Sequence, residues 1–89
     1  MQKEETMSYT KPTFFVYSKD GCPYCTKIQQ VLELAKLQNI VYKLNADFTK
    51  EEFYEQFGNG STFPQVVFNE THIGGCVESV KFLKEMKLV

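Results

Sequence analysis

Residues 13–25, TFFVYSKDGCPYC, decide the fold, because they join a strand to a helix through a turn that carries two cysteines. The residues from Thr13 to Tyr17 are β-branched or aromatic and predict a buried strand. The next four residues are polar and have turn chemistry. Pro23 suits the first turn of a helix, where its missing N–H breaks no hydrogen bond. Apolar residues at helical spacing then predict a helix that continues to about Leu37.

The rest of the chain alternates between strand-like and helix-like patterns. The predicted elements are a strand at 41–45, a helix at 50–57, a hairpin at 64–68 and 71–73, and a helix from about 78 to 87. Thr49 and Glu52 fit a capping box at the start of the second helix, Phe48 is placed to pack on Phe53, and Gly58 ends the helix. The order βαβαββα predicts a small α/β protein with a four-stranded mixed sheet flanked by helices, whose first crossover joins parallel strands.

Length and composition bound the class of protein. The 89 residues leave room for one domain, which we place at residues 13–89 behind a polar tail at residues 1–12. A hydrophobic share of 43% and a charged share of 24% are typical of a globular protein rather than a disordered one. The net charge of −1 and the absence of arginine argue against a nucleic-acid partner. No apolar run predicts export or membrane insertion, so we expect a cytoplasmic protein without a membrane partner. We also expect a monomer.

The spacing of the cysteines indicates redox chemistry or metal binding. Cys22 and Cys25 stand in a Cys-X-X-Cys motif, and the third cysteine, Cys76, lies far along the chain. At a helix start, unpaired N–H groups favour a thiolate, and such settings lower a cysteine pKa from about 8.5 to roughly 3.5–7.5. Lys19 adds positive charge nearby. We therefore expect Cys22 to attack and then to leave readily, and Cys25, on the apolar face of the helix, to resolve the intermediate.

Two interpretations compete with redox chemistry. Cys22 and Cys25 are also suited to half of a zinc site that His72 and Cys76 would complete, or they are two incidental buried thiols. A structural zinc usually compensates for a missing core, whereas this chain has eight Phe and five Tyr residues. We therefore expect no metal.

Three motifs together resemble the glutaredoxins, a branch of the thioredoxin superfamily, over roughly residues 13–88. These motifs are Lys19-x-x-Cys22-Pro-Tyr-Cys25, Thr62-Phe63-Pro64 and His72-Ile-Gly-Gly-Cys76. The resemblance implies a thioredoxin-like fold, Cys22 as nucleophile, Cys25 as resolving thiol and glutathione as the reducing cosubstrate. The implied substrates are protein disulfides and glutathionylated proteins, with ribonucleotide reductase among the clients.

The resemblance also assigns the first part of a glutathione groove. It implies that Tyr24 lines the groove beside the reactive sulfur and that Lys19 attracts the glycine carboxylate of glutathione. Pro64 matches a cis-proline, which leaves the backbone of Phe63 free to bond the cysteinyl part of the tripeptide. From the residues alone, the simpler interpretation of Lys19 is an ordinary surface lysine, and Pro64 is alternatively the first residue of a strand.

The second part of the implied groove is the turn that holds the γ-glutamyl end, formed by Gly75, Cys76 and Val77. Family members commonly have an aspartate where this chain has Val77, so the nearest acid, Glu78, is displaced by one position. Phe63 replaces the usual valine and makes the groove wall bulkier. We expect Glu78 either to compensate for the aspartate or to leave that contact unmade.

The sequence also allows other functions of the protein and several roles of Cys76. The protein is alternatively a thioredoxin-like electron carrier that a reductase recharges, or a module that binds zinc or an iron–sulfur cluster. Cys76 is a small buried residue, a redox-sensitive extra thiol or a metal ligand.

Overall fold

A computed structural model of the protein describes residues 13–88. The strands and helices are β1 (Thr13–Ser18), α1 (Pro23–Leu34), β2 (Gln38–Lys43), α2 (Lys50–Phe57), β3 (Gln65–Phe68), β4 (Thr71–Gly74) and α3 (Cys76–Glu85). The predicted order βαβαββα is confirmed. None of the helices within residues 13–88 has the length and apolar character needed to cross a membrane. The predicted tail, residues 1–12, lies outside the described residues.

The strands form one mixed sheet in the order β2-β1-β3-β4, which confirms the predicted architecture. The pair β1 and β2 is parallel, and β3 is antiparallel to both of its neighbours. Tyr17, near the end of β1, pairs with Gln65, the first residue of β3. Val66 in turn pairs with Gly74, the last residue of β4. One edge of the sheet therefore holds the end of β1, the start of β3 and the end of β4, which are the places where the three sequence motifs lie.

The main core lies between the sheet and the two longer helices. Successive side chains of β1 face opposite sides of the sheet, and Phe14 and Val16 point toward the core. The buried residues of this core are Phe14, Val16, Ile28, Leu32, Val66, Cys76 and Leu83. The core thus packs α1 and α3 against β1 and β3, and it fixes the start of each helix at the edge that carries the motifs.

The opposite face of the sheet carries a second packing unit. We call it the aromatic cluster, and it consists of Tyr17, Phe48, Phe53, Phe57 and Phe63. Phe48 and Phe53 stack with ring centroids 5.8 Å apart, as predicted. The capping box of α2 is also confirmed, because the N–H of Glu52 donates to Thr49 Oγ1 at 3.1 Å and the N–H of Thr49 donates to Glu52 Oε1 at 2.8 Å.

Several predicted element ends were wrong. Helix α1 ends at Leu34 rather than near Leu37, because Lys36 has a φ of 59° and the N–H of Leu37 bonds back to the carbonyl of Leu32. Strand β2 begins at Gln38 rather than at residue 41, since it pairs with β1 along its whole length. Helix α3 begins at Cys76 rather than at residue 78. In each case a turn or a strand pairing decided the boundary, and the apolar periodicity did not.

Candidate active site

Two cysteines stand at the N-terminus of α1, at the edge of the sheet where β1 ends. Cys22 is the N-cap residue with an extended backbone (φ −112°, ψ 102°), and Pro23 occupies the first turn, as predicted. The Sγ atom of Cys22 accepts a hydrogen bond from the N–H of Cys25 at 3.2 Å. The first N–H groups of a helix have no partner within the helix. The helix start therefore supplies a donor to the sulfur that the sequence predicts to be the nucleophile.

Cys22 and Cys25 are joined by a disulfide. The two side chains differ in access to solvent, because Cys22 is 8% exposed and Cys25 is 1% exposed. Gly21, the residue directly before Cys22, has a φ of 70°, a left-handed backbone conformation that favours glycine. An incoming thiolate can therefore reach the sulfur of Cys22 more readily than that of Cys25. This asymmetry is what a division between attacking and resolving cysteines requires.

A shallow groove beside the cysteine pair brings most of the predicted binding residues together. Its lining, which we call the site groove, consists of Tyr24, Thr62, Phe63, Pro64, Gly75, Cys76, Val77 and Glu78. All of these except Thr62 were predicted. Thr62 was missed although it opens the Thr62-Phe63-Pro64 motif, and that position was the available signal. Lys19 does not line the groove directly.

The peptide bond between Phe63 and Pro64 is cis, as the resemblance implies. The Phe63 ring stacks on Phe53 of α2, with centroids 4.1 Å apart and ring planes 8° from parallel. The Nζ atom of Lys19 lies 5.2 Å from the centroid of the Phe63 ring, within the range of a cation–π contact. Phe63 therefore connects the aromatic cluster to Lys19.

The start of α3 forms the other end of the site groove. Oε1 of Glu78 accepts a hydrogen bond from the N–H of Gly75 at 3.0 Å, so this carboxylate caps the helix. A Cβ at Gly74 would lie 3.0 Å from the Cβ of Glu78, and Gly74 has a φ of 129°. The two glycines thus make room for Glu78. Its carboxylate already holds one of the backbone N–H groups at the turn that the resemblance assigns to the γ-glutamyl end.

Cys76 is buried and is the free cysteine of the chain. It is 7% exposed and belongs to the main core, which agrees with its interpretation as a small buried residue. Burial raises the pKa of the Cys76 thiol, Lys27 partly opposes this shift, and Glu78 adds to it. The Cys76 thiol is therefore protonated at neutral pH.

Slow alkylation of Cys76 is the expected consequence. Because the thiolate is the reactive species, we expect the oxidised protein to react with iodoacetamide at pH 7 much more slowly than the denatured protein does. The rate should increase as the pH rises through the raised pKa of the thiol. Mass spectrometry of the intact chain measures the adduct. Equal labelling of the native and denatured protein at pH 7 would contradict this assignment.

The ligands of the alternative zinc site are not assembled. The Nε2 atom of His72 lies 2.6 Å from Gln65 Oε1, and its ring lies 4.9 Å from the Phe57 ring, centroid to centroid. Among residues 13–88, no three His, Cys, Asp or Glu side chains form a group that could hold a metal ion. The structure therefore gives the zinc interpretation no site.

The fold and the cysteine pair define a thiol–disulfide oxidoreductase of the thioredoxin-like class, and comparison with known proteins agrees. The glutaredoxin family model matches residues 7–73, which include both cysteines and the cis-proline. Glutaredoxin 1 of Rickettsia prowazekii is 32% identical over 82 residues, which are 85% of this chain and 82% of that protein. This chain belongs to the glutaredoxin family.

Solved structures support the same assignment. Reduced glutaredoxin of Escherichia coli superimposes with a TM-score of 0.71 and 25% identity, over 82% of this chain and 94% of that one. A dithiolic glutaredoxin of Trypanosoma brucei brucei gives a TM-score of 0.70 and 26% identity, over 84% of this chain and 80% of that one. The predicted thioredoxin-like fold is thereby confirmed.

Proposed function

We propose that this oxidoreductase takes its electrons from glutathione and reduces both glutathione mixed disulfides and disulfides within proteins. The observation that supports this most directly is the position of the site groove, which runs from Tyr24 beside the cysteine pair to the start of α3. The proposal assigns the glutathione tripeptide to this groove, next to the Cys22 sulfur with which it exchanges.

With a glutathione mixed disulfide, the Cys22 thiolate attacks the glutathione sulfur. The client leaves as a thiolate and takes up a proton, and glutathione stays bonded to Cys22. The thiolate of a second glutathione then attacks the sulfur of the bound glutathione. Glutathione disulfide is released, and Cys22 leaves as a thiolate. The helix-start N–H that bonds Cys22 Sγ also stabilises this sulfur as a leaving group in the second step.

With a disulfide inside a protein, both cysteines take part. Cys22 attacks one client sulfur and forms a mixed disulfide, while the other client sulfur leaves as a thiolate. Cys25, one helical turn away, then displaces the client from Cys22 and forms the disulfide seen in the structure. Two glutathione molecules reduce this disulfide and become glutathione disulfide. The proposal thus accounts for the second cysteine.

Three parts of the site are assigned to three parts of glutathione. Lys19 attracts the glycine carboxylate through a charge-assisted contact. The Phe63 backbone, made accessible by the cis bond to Pro64, binds the cysteinyl part. The N–H groups of residues 75–77, at the start of α3, bind the γ-glutamyl carboxylate, and Glu78 has to share the Gly75 N–H with it.

The electron source provides the decisive test. We expect the wild-type protein to turn over the glutathione mixed disulfide of 2-mercaptoethanol with glutathione as donor, measured as the formation of glutathione disulfide. A second candidate is a carrier recharged by thioredoxin reductase, which the bulk of Phe63 and the occupied N–H of Gly75 favour. Turnover with the reductase and none with glutathione would reject the proposal in favour of that carrier.

Replacement of Lys19 by glutamine should affect binding more than chemistry. An exposed charged contact is typically worth up to about 1 kcal/mol, so we expect KM for the small mixed disulfide to rise about threefold to fivefold while kcat stays nearly constant. Steady-state kinetics at low salt measure the two parameters. The matched control is Lys36→Gln, which removes an equal charge from the turn after α1. An equal rise in KM in both variants would contradict a specific role for Lys19.

The proposed setting follows from the electron donor. A cytosolic glutathione pool reduces a dithiol/disulfide pair whose reduction potential is about −200 to −230 mV. We therefore place the protein in the cytoplasm. The proposed clients are glutathionylated and disulfide-containing proteins, ribonucleotide reductase being one. The proposal treats the protein as a monomer and needs no resident metal.

A further inference from the structure

A second groove lies between α1 and α3 and opens next to the site groove. Its lining, which we call the lysine groove, consists of Tyr24, Lys27, Cys76, Val77, Val80, Lys81 and Lys84. Its volume is about 330 Å³. Tyr24, Cys76 and Val77 line both grooves, so the two are continuous. None of the lysines of this groove was singled out by the sequence motifs.

The charge of the lysine groove has one sign. Lys27 contributes from α1, and Lys81 and Lys84 contribute from one face of α3, where residues three and four apart are neighbours. Within residues 13–88, none of these three ammonium groups forms an ion pair with a carboxylate. The nearest acid of the adjoining groove, Glu78, bonds the N–H of Gly75. Positive charge is therefore concentrated on this surface although the net charge of the chain is −1.

The groove also offers apolar contact where it approaches the cysteines. Val77 is 72% exposed and Tyr24 is 60% exposed, which places them among the large apolar or aromatic side chains that the fold leaves open to solvent. Val80 also lines this groove. Glutathione is assigned to the site groove, where it shares Tyr24 and Val77, and it does not account for Val80 or for the three lysines. A partner that covers them has an apolar group near the reacting sulfur and negative charge farther away.

We propose that the lysine groove docks an acidic segment of a client protein, immediately beside the client cysteine that Cys22 attacks. The inference rests on the proposed function, because it names the kind of protein substrate that the same cysteine pair reduces. An apolar client side chain covers Val77 and Tyr24, and client carboxylates pair with Lys27, Lys81 and Lys84. Complementary charge of this kind speeds association and selects among partners more than it tightens the complex.

Two synthetic peptides test the docking. Each carries one intramolecular disulfide and a leucine, followed by either four glutamates or four glutamines. The pre-reduced protein is mixed with each peptide in a single turnover, in which the peptide disulfide becomes a dithiol and the Cys22–Cys25 dithiol becomes a disulfide. Because the protein itself supplies the electrons, the result does not depend on glutathione.

We expect the wild-type protein to reduce the acidic peptide about fivefold faster than the neutral one at low ionic strength. The double substitution Lys81→Gln and Lys84→Gln should remove most of this preference and leave turnover of the small mixed disulfide unchanged. Salt near 1 M, where the Debye length is about 3 Å, should remove it as well. The matched control carries Lys36→Gln and Lys87→Gln, which remove two charges from the exposed turns after α1 and α3.

The possible outcomes separate the two proposals. Equal rates for the two peptides, no reduction of either, or an equal loss of preference in both double variants would overturn the docking inference. The docking inference would also be overturned if the double variant Lys81→Gln, Lys84→Gln kept the preference for the acidic peptide. Failure of the wild-type protein to turn over the small mixed disulfide with glutathione would reject glutathione dependence, whatever the peptides show.

Discussion

Substitution of Cys22 by serine is expected to reduce turnover of a small glutathione mixed disulfide to the uncatalysed rate. A serine hydroxyl is not ionised at neutral pH and cannot form the mixed disulfide with glutathione on which both proposed steps depend. Cys25 is 1% exposed and lies one turn inside α1, so its sulfur is not positioned to replace the nucleophile. The measurement is the rate at which glutathione disulfide forms from glutathione and the mixed disulfide, compared with a blank without protein.

The matched variant is Cys25→Ser, which keeps the nucleophile and removes the resolving thiol. We expect it to retain turnover of the small mixed disulfide, because a second glutathione resolves that intermediate. Reduction of a disulfide within a peptide should fall sharply, because only Cys25 is held one turn from Cys22. Equal loss of both activities in Cys25→Ser, or residual catalysis in Cys22→Ser, would contradict the assigned roles. Far-ultraviolet circular dichroism of both variants verifies that they remain folded.

The three sequence motifs lie close together in the structure because each of them coincides with a strand end. A strand that ends at Ser18, one that starts after Pro64 and one that ends before Gly75 meet at one edge once the sheet has the order β2-β1-β3-β4. Periodicity predicted the strands and helices, and the resemblance supplied the cis bond. The site groove accordingly contains nearly every residue that was predicted for it.

What the sequence could not predict depends on contacts between distant residues. The ring of Phe63 could have pointed into the groove, but its stacking on Phe53 and its contact with Lys19 arise only after α2 packs on the sheet. Glu78 could have faced a ligand, but the capping bond to Gly75 depends on where α3 begins. The lysine groove, likewise, requires α1 and α3 to lie side by side. Spacing along one chain does not contain this information.

These contacts give the aromatic cluster a functional consequence. Phe53 is 1% exposed, and it supports the Phe63 ring at a centroid distance of 4.1 Å. Phe63 in turn lies under the ammonium of Lys19. Packing of α2 therefore positions a side chain that we assign to glutathione binding, although no residue of α2 lines the site groove.

Substitution of Phe53 by alanine is accordingly expected to change both stability and binding. Removal of a fully buried phenylalanine typically lowers the free energy of unfolding by about 3–5 kcal/mol, from lost apolar burial and the cavity left behind. Because the Phe63 ring loses its support, KM for the glutathione mixed disulfide should rise about as much as in Lys19→Gln, with a smaller change in kcat. Urea unfolding measures the first effect, and steady-state kinetics at low temperature measure the second.

Phe14 provides the control that separates the two effects. It is also 1% exposed, but its ring packs on Phe68, with centroids 4.5 Å apart, in the core on the other face of the sheet. Phe14→Ala should therefore lose a similar free energy of unfolding while KM stays near that of the wild type. An equal rise in KM in both variants would attribute the effect to general loosening rather than to Phe63. If Phe53→Ala does not fold, Phe53→Leu preserves the comparison, because leucine fills much of the cavity but cannot stack on Phe63.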